Sequence, residues 1–187
     1  MVKYISIVLL LIVLLVIPKI VSAESVAGDS ATLKPIETIA SNSSLLSEQN
    51  IQRSVIREIL SERASPLESE VDAFMDACIT HDIDCYLLPS IAGLESSFGK
   101  FIYPDSHNPF GWGGGLIMFE SWSEGFQKVA FGLKKNYIGR GATTIEEMAP
   151  IYAASPTWAV RVRSIHNQFV AREEEKRRKL SMLSVLE

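Results

Sequence analysis

A chain of 187 residues with 18 basic and 22 acidic side chains has a net charge of −4, which argues against nucleic acid or an anionic membrane surface as its partner. Its two cysteines have no second Cys/His pair elsewhere, which argues against a zinc site. No nucleophile elbow or Cys-His pattern appears, which disfavours a serine or cysteine hydrolase.

The N-terminus carries the marks of export. Lys3 supplies a positive start, Ile5 to Ile17 is an unbroken apolar run, and Pro18 breaks it. Val21-Ser22-Ala23 places small residues where a signal peptidase cuts, so residues 1–23 are expected to be a signal peptide. The run is short of the roughly 20 residues of a membrane span, and an uncleaved anchor is the alternative, giving the only expected membrane contact. Loss of Lys3 and Lys19 from the 18 basic residues leaves 16 against 22 acidic ones, a balance of −6. A secreted or envelope-associated location follows as the expectation.

Residues 24–48 are rich in Ser, Ala and Thr, without period or aromatic residue, and are expected to form a flexible tether. Residues 49–172 suffice for one domain with a single core, expected to act as a monomer.

That domain reads as helices. Ile51, Val55, Ile59 and Leu60 share one face of the first. Ser65-Pro66-Leu67-Glu68 is a helix start, opening a helix that buries Val71, Phe74, Met75 and Cys78. Asp84 is the expected cap of the next, in which Leu87, Leu88, Ile91, Ala92 and Leu94 recur at helical spacing. Cys78 and Cys85 bracket the turn between these helices, either as a disulfide in an oxidising compartment or as two buried thiols.

Glu95 ends the third helix, before Ser96, Ser97, Phe98 and Gly99. A carboxylate that late in an apolar helix is costly if buried alone, so it is expected at the mouth of a cleft, suited to general-acid work. The alternative is an ordinary glutamate on the exposed edge of the last turn. Residues 105–115 are irregular and glycine-rich, with Asn108, Phe110 and Trp112 either presenting apolar faces to a ligand or packing inward. Leu116 to Phe119 is expected to form one strand of a short β-hairpin. Ser121 with Glu124 reads as a capping box, Gly139 as the C-cap of the helix it opens, and Thr144 with Glu147 as the start of a short helix to about Tyr152. Ser155-Pro156 opens the last helix, with Trp158, Val162, Ile165 and Phe169 on one face. Residues 173–187 read as a charged, solvated helical tail.

Several of these segments, in order, resemble a known family. Leu87 to Lys100 is similar to the catalytic-helix motif of the lysozyme-like superfamily, and Asn108-Pro109-Phe110-Gly111-Trp112-Gly113 resembles the Asn-x-Phe-Gly-Ile-x block of the bacterial glucosaminidase domain, glycoside hydrolase family 73. Phe119 to Trp122 is similar to its Phe-Arg-x-Tyr segment, and Tyr152-Ala153-Ala154-Ser155-Pro156-Thr157-Trp158 to its Tyr-Ala-Thr-Asp-Pro-x-Tyr block.

The resemblance implies a mainly α, lysozyme-like domain with a short hairpin beside the cleft, cleaving the glycan strands of peptidoglycan without a cofactor or metal. It casts Glu95 as general acid and Tyr152 as the functional tyrosine facing it. It casts Ser96, Asn108, Phe110, Trp112, Glu120 and Trp122 as sugar contacts. Between Gly113 and Phe119 the family places a long hairpin with a further acidic residue; here Gly114 to Met118 contain none. Two alternatives follow: a lytic transglycosylase, which needs one carboxyl group and leaves anhydro-muramic ends, and a non-catalytic glycan-binding module.

Overall fold

The computed structural model describes residues 34–183, with side chains described from Ser44 onward, so the export reading of residues 1–23 lies outside the described residues. Six α-helices follow in order: α1 Lys34–Glu62, α2 Val71–His81, α3 Leu87–Ser96, α4 Trp122–Asn136, α5 Ile145–Tyr152 and α6 Trp158–Leu183. The protein is mainly helical, and among the described residues there is no strand. None of these helices is long and apolar enough to cross a membrane.

The tether expected over 24–48 is corrected from residue 34 on, where α1 already runs. Pro35 lies in the first turn, where its missing N–H costs nothing, and neither Pro nor Gly recurs before Pro66. Helix nucleated by the packed half of α1 therefore has nothing to stop it propagating toward the N-terminus. Val55, Ile56, Ile59 and Leu60 form that packed half, set against α2 and α6.

Ser65 caps a short 3-10 turn, Pro66–Glu70, rather than α2 itself: its hydroxyl accepts from Leu67 N–H (3.0 Å) and donates to the Phe98 carbonyl (2.7 Å). α2 buries Val71, Phe74, Met75 and Cys78, and Phe74 stacks on Phe126 of α4 with centroids 4.0 Å apart. Cys78 and Cys85 are joined as a disulfide across the turn between α2 and α3. In that turn Asp84 accepts from Tyr86 N–H (2.8 Å) and meets His166 Nε2 of α6 at 2.5 Å. Tyr86 donates its hydroxyl to Glu173 (2.7 Å), and burial and then this contact push its ionisation far upward. α3 is thus fixed to α6 at its start, and Leu87, Leu88, Ile91 and Ala92 are buried along it.

Ser121 caps α4 by accepting from Glu124 N–H (3.1 Å), while the Glu124 carboxylate returns to Glu120 N–H (2.6 Å) instead of the cap residue. Past α4 a 3-10 turn intervenes, Ile138–Arg140, and the left-handed closing residue is Gly141 (φ +98°), not Gly139. Thr144 and Glu147 form the full reciprocal capping box of α5.

The tail is also corrected. Up to Leu183 it is the helical extension expected, continuing α6, but Lys176 and Arg177 within it, and Arg172 just before it, reach α1 while Glu174 and residues 178–183 stay exposed. Arg172 pairs with Glu62 (2.7 Å), Lys176 with Glu58 and Ser54, and Arg177 with Glu48 (3.3 Å). The domain therefore does not end at residue 172.

The hairpin expected at Leu116 to Phe119 does not form. Gly113, Gly114 and Gly115 take left-handed backbone in succession (φ +63°, +71° and +80°), which turns the chain without giving a ladder. The Asn108 amide takes the Ile117 carbonyl (3.1 Å), and Phe119 N–H goes to the Ser106 carbonyl (2.9 Å).

Candidate active site around Glu95

The site is built where α3 stops. After Glu95 and Ser96, three consecutive residues turn left-handed: Ser97 (φ 51°), Phe98 (φ 61°) and Gly99 (φ 81°). Such backbone is costly for a bulky residue like Phe98, so neighbours must impose it. Ser96 does so from a buried position: its hydroxyl donates to the Pro109 carbonyl (2.7 Å) and accepts from Gly99 N–H (2.9 Å). Gly93 leaves room for the Phe98 ring, since a Cβ there would stand 2.7 Å from Phe98 Cζ. Leu67 fills the space beside Gly99, where a Cβ would meet it at 2.8 Å.

This turn leaves Glu95 exposed at the end of α3. Its Oε1 accepts from the indole N–H of Trp158 at 2.7 Å, the first residue of α6. Its Oε2 faces Gly111, where a Cβ would come to 3.3 Å and where φ is +63°. One carboxyl oxygen is held and the other is turned toward the glycine-rich loop.

Tyr152, at the end of α5, stacks on Trp158 (centroids 4.7 Å apart, planes 25° apart) and donates its hydroxyl to the Phe110 carbonyl (2.8 Å). Burial first, then the charge of Glu95 and the nearby Tyr137, hold its ionisation well above the ordinary tyrosine range, so it remains a neutral donor. Trp112, Tyr137 and Tyr152 form a triangle of tilted rings with centroids 5.8 to 6.2 Å apart. Gly132 of α4 backs the Trp112 ring, since a Cβ there would reach 2.7 Å. These rings, with Gly111, Gly113 and Gly114, line a cavity of about 280 Å³.

The structure therefore brings together Glu95, Tyr152 and Trp112 of the residues singled out from sequence, and gives the others different work. Asn108 is buried, with its amide donating to the carbonyls of Trp112 (2.8 Å) and Ile117 (3.1 Å) and its Oδ1 accepting from Trp112 N–H (3.0 Å). It holds the loop's shape, with both of its amide hydrogens committed inside the loop. Phe110 is fully buried against Phe126 and lends only its carbonyl. Ser96, as above, has its hydroxyl committed inside the fold. Glu120 is exposed, and Trp122 packs on His107 and Phe126, outside the ring triangle.

Trp158 and Tyr137 escaped sequence reasoning. An aromatic at helical spacing reads as core, and Trp158 is in fact only 3% exposed. Its place closing the block that begins with Tyr152 was the available signal.

Glu95 adjoins the cavity lining at Gly111, and no acidic residue is among the residues that line it. Glu124 has its carboxylate held below the usual range by Lys128 and then by Glu120 N–H. Asp105 is exposed on a left-handed turn residue (φ 58°). Among the described residues no group of His, Cys, Asp or Glu could hold a metal.

Three larger grooves carry less chemistry, and the one of about 400 Å³ between α1 and α6 offers Glu62, paired with Arg172 (2.7 Å), and Glu175, paired with Lys179 (2.6 Å). That of about 500 Å³ between α1 and α6 offers Lys176, already bound to Ser54 and Glu58. That of about 490 Å³ beside α5 offers Glu146, paired with Arg163 (2.6 Å), among alanines and prolines. In all three the acidic and basic groups named are already paired.

Compared in sequence, the chain matches no known family profile and no curated protein.

Proposed function

We propose that the protein is an exported glycosidase with a lysozyme-like arrangement, cutting peptidoglycan glycan strands in the manner of an endo-β-N-acetylglucosaminidase with Glu95 as general acid. The observation that carries this reading is the split environment of the Glu95 carboxyl. Trp158 holds Oε1 at 2.7 Å, and Oε2 faces Gly111 beside the ring-lined cavity.

Glycosidic cleavage passes through an oxocarbenium-like state and needs a proton on the departing oxygen. Oε2 is the oxygen positioned to carry that proton, because the leaving group can approach over a glycine. As Glu95 becomes a carboxylate, the Trp158 N–H stabilises the charge on Oε1, a hydrogen bond that strengthens as the proton leaves. Tyr152, neutral and bonded to the Phe110 carbonyl, positions the loop and the Trp158 ring. The aromatic faces of Trp112 and Tyr152 suit the apolar faces of sugar rings. The Cys78–Cys85 disulfide supports placement in an oxidising, extracytoplasmic compartment.

One observation favours a second reading. The cavity lining holds no carboxylate to act as base or nucleophile. Attack by the substrate's own hydroxyl, as in a lytic transglycosylase, needs only Glu95.

Dye release from labelled peptidoglycan tests the proposal. The full chain is expected to release soluble fragments, and Glu95→Gln to lose the activity at least a hundredfold, the scale of general-acid catalysis. Release by Glu95→Gln at the native rate refutes it.

A further inference from the structure

Tyr137 lines the cavity at the corner where α4 gives way to the 3-10 turn. The corner is rigid: Tyr137 N–H bonds to the Leu133 carbonyl (3.2 Å), and the Tyr137 carbonyl accepts from Arg140 and Ala142 (3.0 Å each). Its ring stands 6.2 Å from Trp112 and 6.1 Å from Tyr152. The two phenols of the cavity differ in one respect. The Tyr152 hydroxyl is committed to the Phe110 carbonyl, whereas the hydroxyl of the half-buried Tyr137 has no hydrogen-bond partner among the described residues. No charged side chain lines the cavity, which suits a neutral ligand, and its volume of about 280 Å³ is on the scale of one substituted pyranose. Gly114 on the open side has no atom within 4 Å of where its Cβ would lie, leaving an approach for a ring.

We propose that Tyr137 is a specificity-determining residue of this cleft, its free hydroxyl hydrogen-bonding a neutral polar substituent, such as an acetamido or hydroxyl group, on a pyranose seated in the cavity that Trp112, Tyr137 and Tyr152 line. The inference rests on the glycan-cleaving reading and sharpens it to one sugar unit and one contact. Burial raises the ionisation of Tyr137, so its phenol stays neutral and can both donate and accept. A site that hydrogen-bonds a substituent discriminates against analogues lacking it, because the hydroxyl that the bound ring covers is then left unpaired.

The test is calorimetric titration of tri-N-acetylchitotriose, a neutral aminosugar oligomer, into the full chain, Tyr137→Phe and Tyr137→Ala. Tyr137→Phe keeps the ring in its triangle and removes only the hydroxyl; it is expected to weaken binding about tenfold, with an unchanged melting temperature. Tyr137→Ala removes the ring as well and is expected to weaken it further. On peptidoglycan, Tyr137→Phe is expected to raise KM more than it lowers kcat, a split that a purely structural role would not give. Binding by Tyr137→Phe at the native affinity, or no measurable binding of chitotriose by the native chain, overturns the inference. Chitotriose binding that depends on Tyr137 in a chain that cleaves nothing would refute the glycosidase reading and keep this one. Cleavage with native KM and affinity in Tyr137→Phe would do the reverse.

Discussion

A carboxyl group is useful as an acid when one oxygen is anchored and the other is free to meet substrate. Trp158 anchors Glu95, and the test of that pairing is Trp158→Phe, which keeps an aromatic ring against Tyr152 while removing the indole donor and part of the ring's volume. A hydrogen bond to a charged group is worth about 1.5–3 kcal/mol, so the variant is expected to lose about tenfold or more in kcat. Initial rates measured beside urea midpoints check this, and an unchanged kcat in a folded variant would contradict it. At this scale the sequence was half legible. Glu95 and Tyr152 stand where helix ends and a tyrosine block suggested. Asn108 and Phe110 lie in the same loop but face inward, because glycines and aromatics in sequence do not tell a ligand-facing ring from a buried one. Trp158 was hidden because burial and hydrogen bonding by one indole look, in a periodic pattern, like burial alone.

Between elements, the orientation of Glu95 depends on how α3 lies on α6, and Asp84 ties the start of the one to the middle of the other. Burial works against ionised Asp84, but the hydrogen bond and charge of His166, followed by the Tyr86 N–H, outweigh it and hold the carboxyl below its ordinary range. Ionised Asp84 therefore favours the fold above the unfolded carboxylate value near about 3.9, and that contribution disappears as pH falls through the lower folded value. Asp84→Asn is expected to be less stable than the native chain at neutral pH, with the gap closing below about pH 4. Urea midpoints of both proteins across the acid range check it; a gap that stays constant down to pH 3 would contradict it. Helix starts with a side-chain oxygen at the cap, Ser121 and Thr144, were readable because the signal is local. The N-terminal half of α1 was not, since Ser-rich sequence carries no period and its helix is propagated from residues packed further along. The hairpin failed for a related reason: pairing needs a partner strand, and the Ile117 carbonyl is taken by Asn108 instead.

For the molecule as a whole, α6 is the axis. Its first residue holds Glu95, its middle meets Asp84, and its charged end lies along α1 through Arg172, Lys176 and Arg177. Those ion pairs are partly exposed and individually worth little, so the apolar contacts of Val55, Ile56, Leu60, Val162 and Phe169 carry the packing. A charge run of that kind looks solvated in sequence, and only the fold shows that it has a neighbour. The mainly helical class was legible because apolar periodicity runs through the packed length of most helices. The central claim is chemical, and the direct measurement is mass spectrometry of peptidoglycan digested by the full chain, read before and after borohydride reduction, beside Glu95→Gln. Reducible N-acetylglucosamine ends, absent with Glu95→Gln, are the expected result, and anhydro-muramic ends would instead select intramolecular attack by the substrate. Intact glycan from both proteins, or the same ends from Glu95→Gln as from the native chain, would contradict the account.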